Sequence, residues 1–365
     1  MRPGPPAHAG RAVVSGTVPH GMPTNGQIAE VLALAAEGED GHRRRALERA
    51  ARSAMFVWTD EAVDLIGSGR SLTELPAVGP WMARRIMDLV EGDVVPPEPP
   101  EVRRGFLTLA AARAALATDP GFVAAIRGDL QMHTTETDGK STLDEMVEGS
   151  RARGYAYACI TDHSQGLKIT NGMDESRLAL QGEEIRRLNA AADGPPRVLH
   201  GIEMNLSPTG EGDMDPAALA ELDLVLGAFH SALRLEEDQT ERYLTGVRNP
   251  TIDVLAHPTT RRFGMRLGLR ADWRAVFEAA ADAGHAVEID GSPARQDLPV
   301  ELIRIALDTD VLFSIGSDAH HVGELSFLDY GIAAAIVAGV PLERIVNARD
   351  VEDLVGWSAP NRRRS

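Results

Sequence analysis

The chain has 365 residues, 43% hydrophobic and 25% charged, which is apolar sequence enough for two globular domains and a large core. Its formal charge of −17 argues against a broad basic coat for nucleic acid, and its single cysteine, Cys159, excludes an intrachain disulfide. No apolar run approaches the roughly 18 residues that span a bilayer, and MRPGPPAHAG lacks the apolar centre of a signal peptide, so a cytoplasmic protein without membrane contact is expected.

Residues 1–24 are rich in Pro and Gly and are expected to be disordered. From 25 to 92 the pattern is helical. Ile28, Val31, Leu32, Leu34 and Ala35 form an apolar stripe, Gly38 and Gly41 interrupt it, and 43–53 continues as a basic helix. LTELPAVGPWMARRIMDLV, 72–90, reads as two short helices around a tight turn at 76–80. This resembles a helix-hairpin-helix, and 25–92 as a whole resembles the N-terminal domain of family-X DNA polymerases. In that motif a Gly-x-Gly turn and the following helix N-terminus offer backbone N–H groups to a DNA phosphate. The resemblance makes Gly79, Arg84 and Arg85 the candidate DNA contacts. Two departures weaken the motif: Ala77 replaces the first glycine, and Pro80 removes an N–H. The plainer alternative is a helical domain kept for packing or protein contacts.

Residues 93–105, DVVPPEPPEVRRG, form a Pro-rich, semi-rigid linker. A family-X polymerase would continue with its palm, but only about 25 residues precede the next strand, too few for such a domain. Polymerase activity is therefore not expected.

From 106 to 358 strand-like runs alternate with amphipathic helices, the pattern of a parallel α/β domain. Strands are expected near 129–133, 157–162, 198–203, 223–229, 252–257, 286–290 and 311–317, and helices include 143–153, 175–189, 273–283 and 300–307. Seven such units give an α/β fold, a TIM-like barrel one unit short, preceded by the small all-α domain. Residues 359–365 read as a basic tail.

A metal-ligand type of residue closes every strand: His133 with Asp138, Asp162 with His163, Glu203, His230, His257, Asp290, and Asp318 with His320. Any one of these histidines has an ordinary structural explanation. In a parallel barrel, however, all strand C-termini open on one face, so the set converges on one cleft. Eleven histidines against one cysteine favour imidazole and carboxylate ligation, suited to Zn, Mn or Fe. Cations flanking such a cleft would hold phosphate, and Lys168, Arg261 and Arg295, each on a loop after a strand, are the candidate substrate contacts. His321, His285, His200 and His42 are read as non-ligands, and the role of Asp290 stays open.

DLQMHT, TDHS, HGIEMN, FHS, AHP and GSDAH follow one another as in the PHP (polymerase and histidinol phosphatase) superfamily of metal-dependent phosphoesterases, and the chain resembles it over about 127–355. The likeness is greatest to the PHP domains of bacterial family-X polymerases. The resemblance implies two or three divalent ions. His133, Glu203 and Asp318 would hold the first, with Gln131 beside them, Asp138, His163 and His320 the second, and Glu203, His230 and His257 the third. A metal-bridging water held by Glu203 and Asp318 would be the nucleophile. Many members have His where Gln131 stands, so the first ion is expected to bind more weakly than the others.

The expected function is metal-dependent hydrolysis of a phosphate ester at a DNA 3′ end, by a 3′-5′ exonuclease or 3′-phosphatase acting in repair, with DNA as the partner and repair proteins as further candidates. The alternatives are a phosphatase of small monoesters, as in the histidinol-phosphatase branch, and a non-catalytic adaptor for repair complexes.

Overall fold

The computed structural model describes residues 22–92 and 95–362, so the expectations for 1–21, 93–94 and 363–365 fall outside the described residues. The chain forms two compact units that divide between Glu98 and Pro99.

Among the described residues the first unit holds four α-helices: α1 (Asn25–Glu37), α2 (Gly41–Phe56), α3 (Ala62–Gly67) and α4 (Pro80–Glu91). Thr24, placed by the sequence in a disordered segment, instead caps α1. Its hydroxyl accepts from the Gln27 N–H while the Gln27 side chain accepts from the Thr24 N–H, so two otherwise orphan donors are satisfied. Ile28, Leu32, Leu47, Ala54, Trp58 and Ile86 make the core. The turn before α4 hangs on one carbonyl: Pro76 O accepts from the Trp58 indole N–H (2.9 Å) and from the Ser53 hydroxyl (3.1 Å).

The next residue, Ala77, has φ 65°, a left-handed conformation that side chains with a Cβ resist. Ala77 therefore occupies a backbone position built for glycine. Ala77→Gly should stabilise this unit by about 0.5–1 kcal/mol, the relief of strain outweighing the added freedom of the unfolded chain. Thermal melts of the full chain would show it, and a lowered midpoint would contradict the reading.

The second unit begins with α5 (Leu109–Thr118) and α6 (Pro120–Ala125) and then forms the barrel. Its strands are β1 (Gly128–Asp129), β2 (Tyr157–Ile160), β3 (Arg197–Leu206), β4 (Leu224–Phe229), β5 (Val254–Leu255), β6 (Ala286–Asp290) and β7 (Leu312–Gly316). All neighbours pair in parallel and in chain order. The crossovers carry α7 (Leu143–Ala152), α8 (Glu175–Ala191), the short α9 (Pro216–Leu219), α10 (Thr240–Val247), α11 (Trp273–Ala283) and α12 (Val300–Leu307). Two further helices follow β7, α13 (Leu328–Ala338) and α14 (Val351–Arg362). Val276, Phe277, Ile303 and Ala306 pack the crossover helices onto Val287, Ile289, Phe313 and Ile315 of the strands.

Closure between β1 and β7 is not an ordinary ladder. Met132 pairs with Ala319, the His133 N–H donates to Ala319 O (2.8 Å), and the Asp318 N–H donates to Gln131 O (3.1 Å). Lower down, the fully buried side chain of Asn347 bridges the seam. Its amide donates to Gly128 O (2.9 Å) and Ile315 O (2.8 Å), and its oxygen accepts from the Ile315 N–H (2.7 Å).

Two expectations are corrected here. The ladder of β1 ends at Asp129 rather than 133, because the chain beyond it turns to meet the residues after β7. Residues 104–105, assigned to the linker, are bound into the barrel unit: the Arg261 guanidinium donates to both of their carbonyls. Helix α14 runs into the basic tail as far as Arg362. No helix among the described residues is long and apolar enough to cross a membrane.

Candidate metal centre

Parallel strands bring their C-terminal ends to one rim, and the rim collects the side chains. His133 stands four residues beyond β1, His163 follows β2, Glu203 lies within β3, His230 directly follows β4, His257 stands two residues beyond β5, and Asp318 and His320 follow β7. Glu203 is the hub. Its Oε1 lies 2.7 Å from His257 Nε2 and 3.1 Å from His230 Nε2, and its Oε2 lies 3.1 Å from His163 Nδ1 and 3.4 Å from His133 Nε2. Asp318 Oδ1 is 3.3 Å from His133 Nε2. Asp138 Oδ1 faces His163 Nε2 at 3.5 Å and His320 Nε2 at 3.4 Å. The His133 ring stacks between those of His163 and His320, with centroids 4.4 and 4.3 Å away.

Three groups of donor atoms are compact enough to share an ion: His133, Asp138, His163 and His320; His163, Glu203 and His230; and His133, Glu203 and Asp318. His133 thus serves two groups, and His163 reaches toward Glu203 as well as Asp138.

The electrostatics suit cations. Burial alone would raise the Glu203 carboxyl, but the neighbouring His163 and His230 hold it well below its usual range. Burial pushes Asp318 the same way, and Arg295 with His133 and His320 overrides it downward. Burial lowers His163 to about 4 and also lowers His257, so both rings keep a lone pair available. His320 differs: burial opposes its charge, yet Asp138 and Asp318 hold it up to about 10. Its Nδ1 donates to Asp318 O (2.8 Å), which fixes the ring with Nε2 facing Asp138.

Both ring nitrogens of His133, Nδ1 of His163, Nε2 of His230, Oδ1 of Asp138 and Oε2 of Glu203 are buried with no hydrogen-bond partner among the described residues. Buried polar atoms are seldom left so, and this many converging on one point fit divalent ions that take nitrogen and oxygen donors. The backbone is also strained here. His257 (φ 26°) and Asp318 (φ 52°) are both left-handed, and each is held by a hydrogen bond through its own N–H, from His257 to Glu288 Oε2 (2.7 Å) and from Asp318 to Gln131 O.

The remaining sequence candidates separate. Gln131 is fully buried, and its amide lies against the Glu288 carboxylate, to which its nitrogen can donate at Oε1 and, at 2.9 Å, at Oε2. Arg295 reaches the cluster, with Nε 3.1 Å from Asp318 Oδ2 and 3.7 Å from Asp290 Oδ2. Lys168 is exposed on the loop after β2. Arg261 is placed elsewhere: it is buried, its guanidinium carbon lies 3.6 Å from the Phe106 ring centroid, and it donates to Arg104 O and Gly105 O, so it braces the chain entering the barrel. Gly79 caps α4 in the first unit, where Arg84 and Arg85 are exposed and Arg85 lies over the Trp81 ring.

Asp162 is not in the cluster. It accepts from Thr134 N–H and hydroxyl, from the Thr137 hydroxyl and from Gln181, and so fixes the loop that follows His133. Asp290 is buried and accepts from the Ser292 N–H. His321 caps the turn at 322–327, His285 contacts Val247 O, His200 is buried against α8, and His42 is exposed.

Sequence reasoning passed over Glu288. The signal was present: Glu288 and Asp290 are two apart in a strand and so share a face, and one of them already ended a strand. It also passed over the orienting chain in which Asp213 accepts from the Ser164 hydroxyl, Ser164 Oγ accepts from the Asn205 N–H, and Asn205 Oδ1 lies 3.4 Å from His230 Nδ1. Nothing local in the sequence links residues so far apart.

A parallel barrel with five imidazoles and three carboxylates on its C-terminal rim defines a metal-dependent hydrolase centre. The comparisons narrow the class. The chain is 37% identical over 237 residues to the DNA polymerase/3′-5′ exonuclease PolX of Bacillus subtilis, a match covering 65% of this chain and 41% of that protein. It is 28% identical over 231 residues to a probable phosphatase of Edwardsiella ictaluri (60% of this chain, 89% of that one) and 28% over 240 residues to one of Shewanella frigidimarina (63% and 91%). The histidinol phosphate phosphatase of Lactococcus lactis aligns over 59% of this chain and 94% of its own at 16% identity and a TM-score of 0.46, too loose a match to argue from. No family model matches. Its motifs stand in order on one barrel rim, and the similarity to these relatives supports a metal-dependent phosphoesterase of the PHP superfamily.

Proposed function

We propose that the barrel hydrolyses a phosphate ester at the 3′ end of a DNA strand, as a 3′-5′ exonuclease or 3′-phosphatase. The observation that carries this is Glu203, one carboxylate facing four imidazoles at the strand ends. The similarity to a relative named for 3′-5′ exonuclease activity supplies the DNA end. His133, Asp138, His163, Glu203, His230, His257, Asp318 and His320 would hold the ions. Bound there, divalent ions bring the pKa of water toward neutrality and take up charge on phosphate oxygens. The chain's own part is to orient and to exclude. Glu203 and Asp318 position the attacking water, Arg295 sets a fixed positive charge beside the phosphate, and Glu288 holds the strained His257 backbone in place. Gly79, Arg84 and Arg85 would contact a duplex backbone through the first unit, and deleting 1–98 should then weaken DNA binding in a salt-dependent way.

The first ion should bind weakest, because Gln131 turns to Glu288 and Arg295 sits on Asp318. Gln131→His is expected to tighten that ion about tenfold or more, the scale on which ligand-shell changes act. Metal titration followed by mass spectrometry tests this, and an unchanged affinity and count would refute it.

A second reading, a phosphatase of small monoesters, is favoured by the probable phosphatases that match along nearly their whole length. Manganese-loaded protein offered a 3′-labelled oligonucleotide and p-nitrophenyl phosphate separates the two: cleavage of the second alone overturns the DNA reading. If His257→Ala and Asp318→Ala leave both reactions unchanged, hydrolysis at this site is excluded.

A further inference from the structure

One side of the rim carries a feature that ion binding does not use. The loop after β4 runs from His230 through Ala232, Leu233, Arg234 and Leu235. The loop after β5 folds back on itself, Arg262 N–H donating to Arg266 O (2.9 Å) and Arg266 N–H to Arg262 O (3.0 Å). Between them lies an open cavity of about 430 Å³, lined by His230, Ala232, Leu233, Arg234, Leu235 and Arg266. His230, from the metal centre, forms one wall.

The cavity is cationic in a chain whose net charge is −17. Arg266 is anchored by its Nε, which donates to Thr260 O (2.6 Å), and its terminal amino groups make no hydrogen bond among the described residues. Burial lowers its pKa, and the charges of Arg295, Arg262 and Arg234 lower it further, so three other guanidinium groups lie within electrostatic reach of Arg266. On Arg266, Asp297 acts the other way, and its oxygens are engaged by Thr259 and Thr260. Among the described residues Arg234, Arg262 and Arg266 form no ion pair. Guanidinium groups gathered with no carboxylate paired to them are stabilised by an anion, and that holds for Arg234, Arg262 and Arg266. Apolar side chains border them: Leu235 is 41% exposed, Met265 64% and Leu267 56%.

We propose that this cavity is a subsite for the nucleotide next to the ester being hydrolysed, with Arg234 and Arg266 on its phosphate and Leu233 and Leu235 against its base. The substrate is then a nucleic-acid strand end with at least two phosphates rather than a small monoester. The volume lies in the range of small-ligand sites, and an arginine pair beside apolar side chains suits a phosphate joined to a flat ring. The inference rests on the reading of the metal centre as the hydrolytic site.

The test compares wild type, Arg234→Gln, Arg266→Gln and Arg234→Lys, all manganese-loaded, on a 3′-labelled single-stranded oligonucleotide and on p-nitrophenyl phosphate. The quantity read is the ratio of kcat/KM for the two substrates. Each Gln variant should lower that ratio about tenfold or more through KM for the oligonucleotide, while Arg234→Lys, which keeps the charge, retains most of it. A parallel change in both substrates, which general disruption would cause, overturns the subsite. Should wild type cleave neither substrate, the hydrolytic reading fails by itself. The subsite is then judged by anisotropy of a 5′-fluorescein oligothymidylate, where each lost arginine should reduce the salt slope by about 0.7. Equal affinity and slope in wild type and variants would sink it.

Discussion

Replacing Glu203 with Gln is expected to abolish ion binding at the heart of the rim and to lower phosphoesterase kcat by roughly 10²–10³-fold or more, the scale seen when one preorganised electrostatic group is lost from an active site. The carboxylate faces four imidazoles with two oxygens, Oε1 toward His230 and His257 and Oε2 toward His133 and His163. A neutral amide keeps the shape but offers one oxygen where two are used, and turns an N–H₂ group at one pair of rings. Burial makes this worse, since Glu203 is 1% exposed and no water can replace the missing charge. The fold should persist, because removing a buried charge also removes its desolvation cost. Steady-state kinetics on p-nitrophenyl phosphate, with metal content by mass spectrometry and a thermal melt as control, would check this. A variant with native ion content and native rate would remove Glu203 from the centre.

The largest effect on stability is expected at Asn347. Its side chain joins Gly128 of β1 to Ile315 of β7 by three hydrogen bonds in a fully buried position, where few backbone bonds close the barrel. Truncation to Ala would leave two carbonyls and one N–H without partners inside the protein. At about 1–3 kcal/mol for each buried group left unsatisfied, partly offset by relaxation, Asn347→Ala should cost about 3–5 kcal/mol. For a unit of this size that corresponds to a midpoint lowered by about 10 °C. Asn347→Asp should fail for a related reason: the acceptor survives, but both donations to the carbonyls are lost and a charge is buried. Denaturant titration measures the change, and a loss below about 1 kcal/mol would show that the seam is closed by other means.

The strands and crossover helices were legible because their signals are local. Apolar runs of four to six residues ending in His, Glu or Asp mark β2, β3, β4 and β6, and Trp273 and Val300 begin their helices where the periodicity puts them. The centre was legible for a different reason: parallel topology converts sequence order into a ring, so a ligand type at each strand end implies convergence. What escaped depends on partners distant in the chain. Arg261 looked like a free loop cation, but Phe106, Arg104 and Gly105 had already engaged it. Thr24 looked like part of a Pro/Gly-rich leader until the capping geometry with Gln27 drew it into α1. Asn347 lies in a short 3₁₀ turn with no pattern of its own, and its importance comes from the seam that it crosses. Ala77 is the reverse case: the sequence flagged it as a missing glycine, and its left-handed backbone shows that the position still asks for one.

Anomalous scattering from crystals of the manganese-loaded protein tests the central claim most directly. Two or three peaks are expected on the rim, each about 2.0–2.3 Å from donor atoms, with at least one beside a Glu203 oxygen and the others among His133, Asp138, His163, His320, His230 and His257. An empty rim, or ions bound only at surface carboxylates away from Glu203, would contradict the assignment of this barrel as a metal-dependent phosphoesterase.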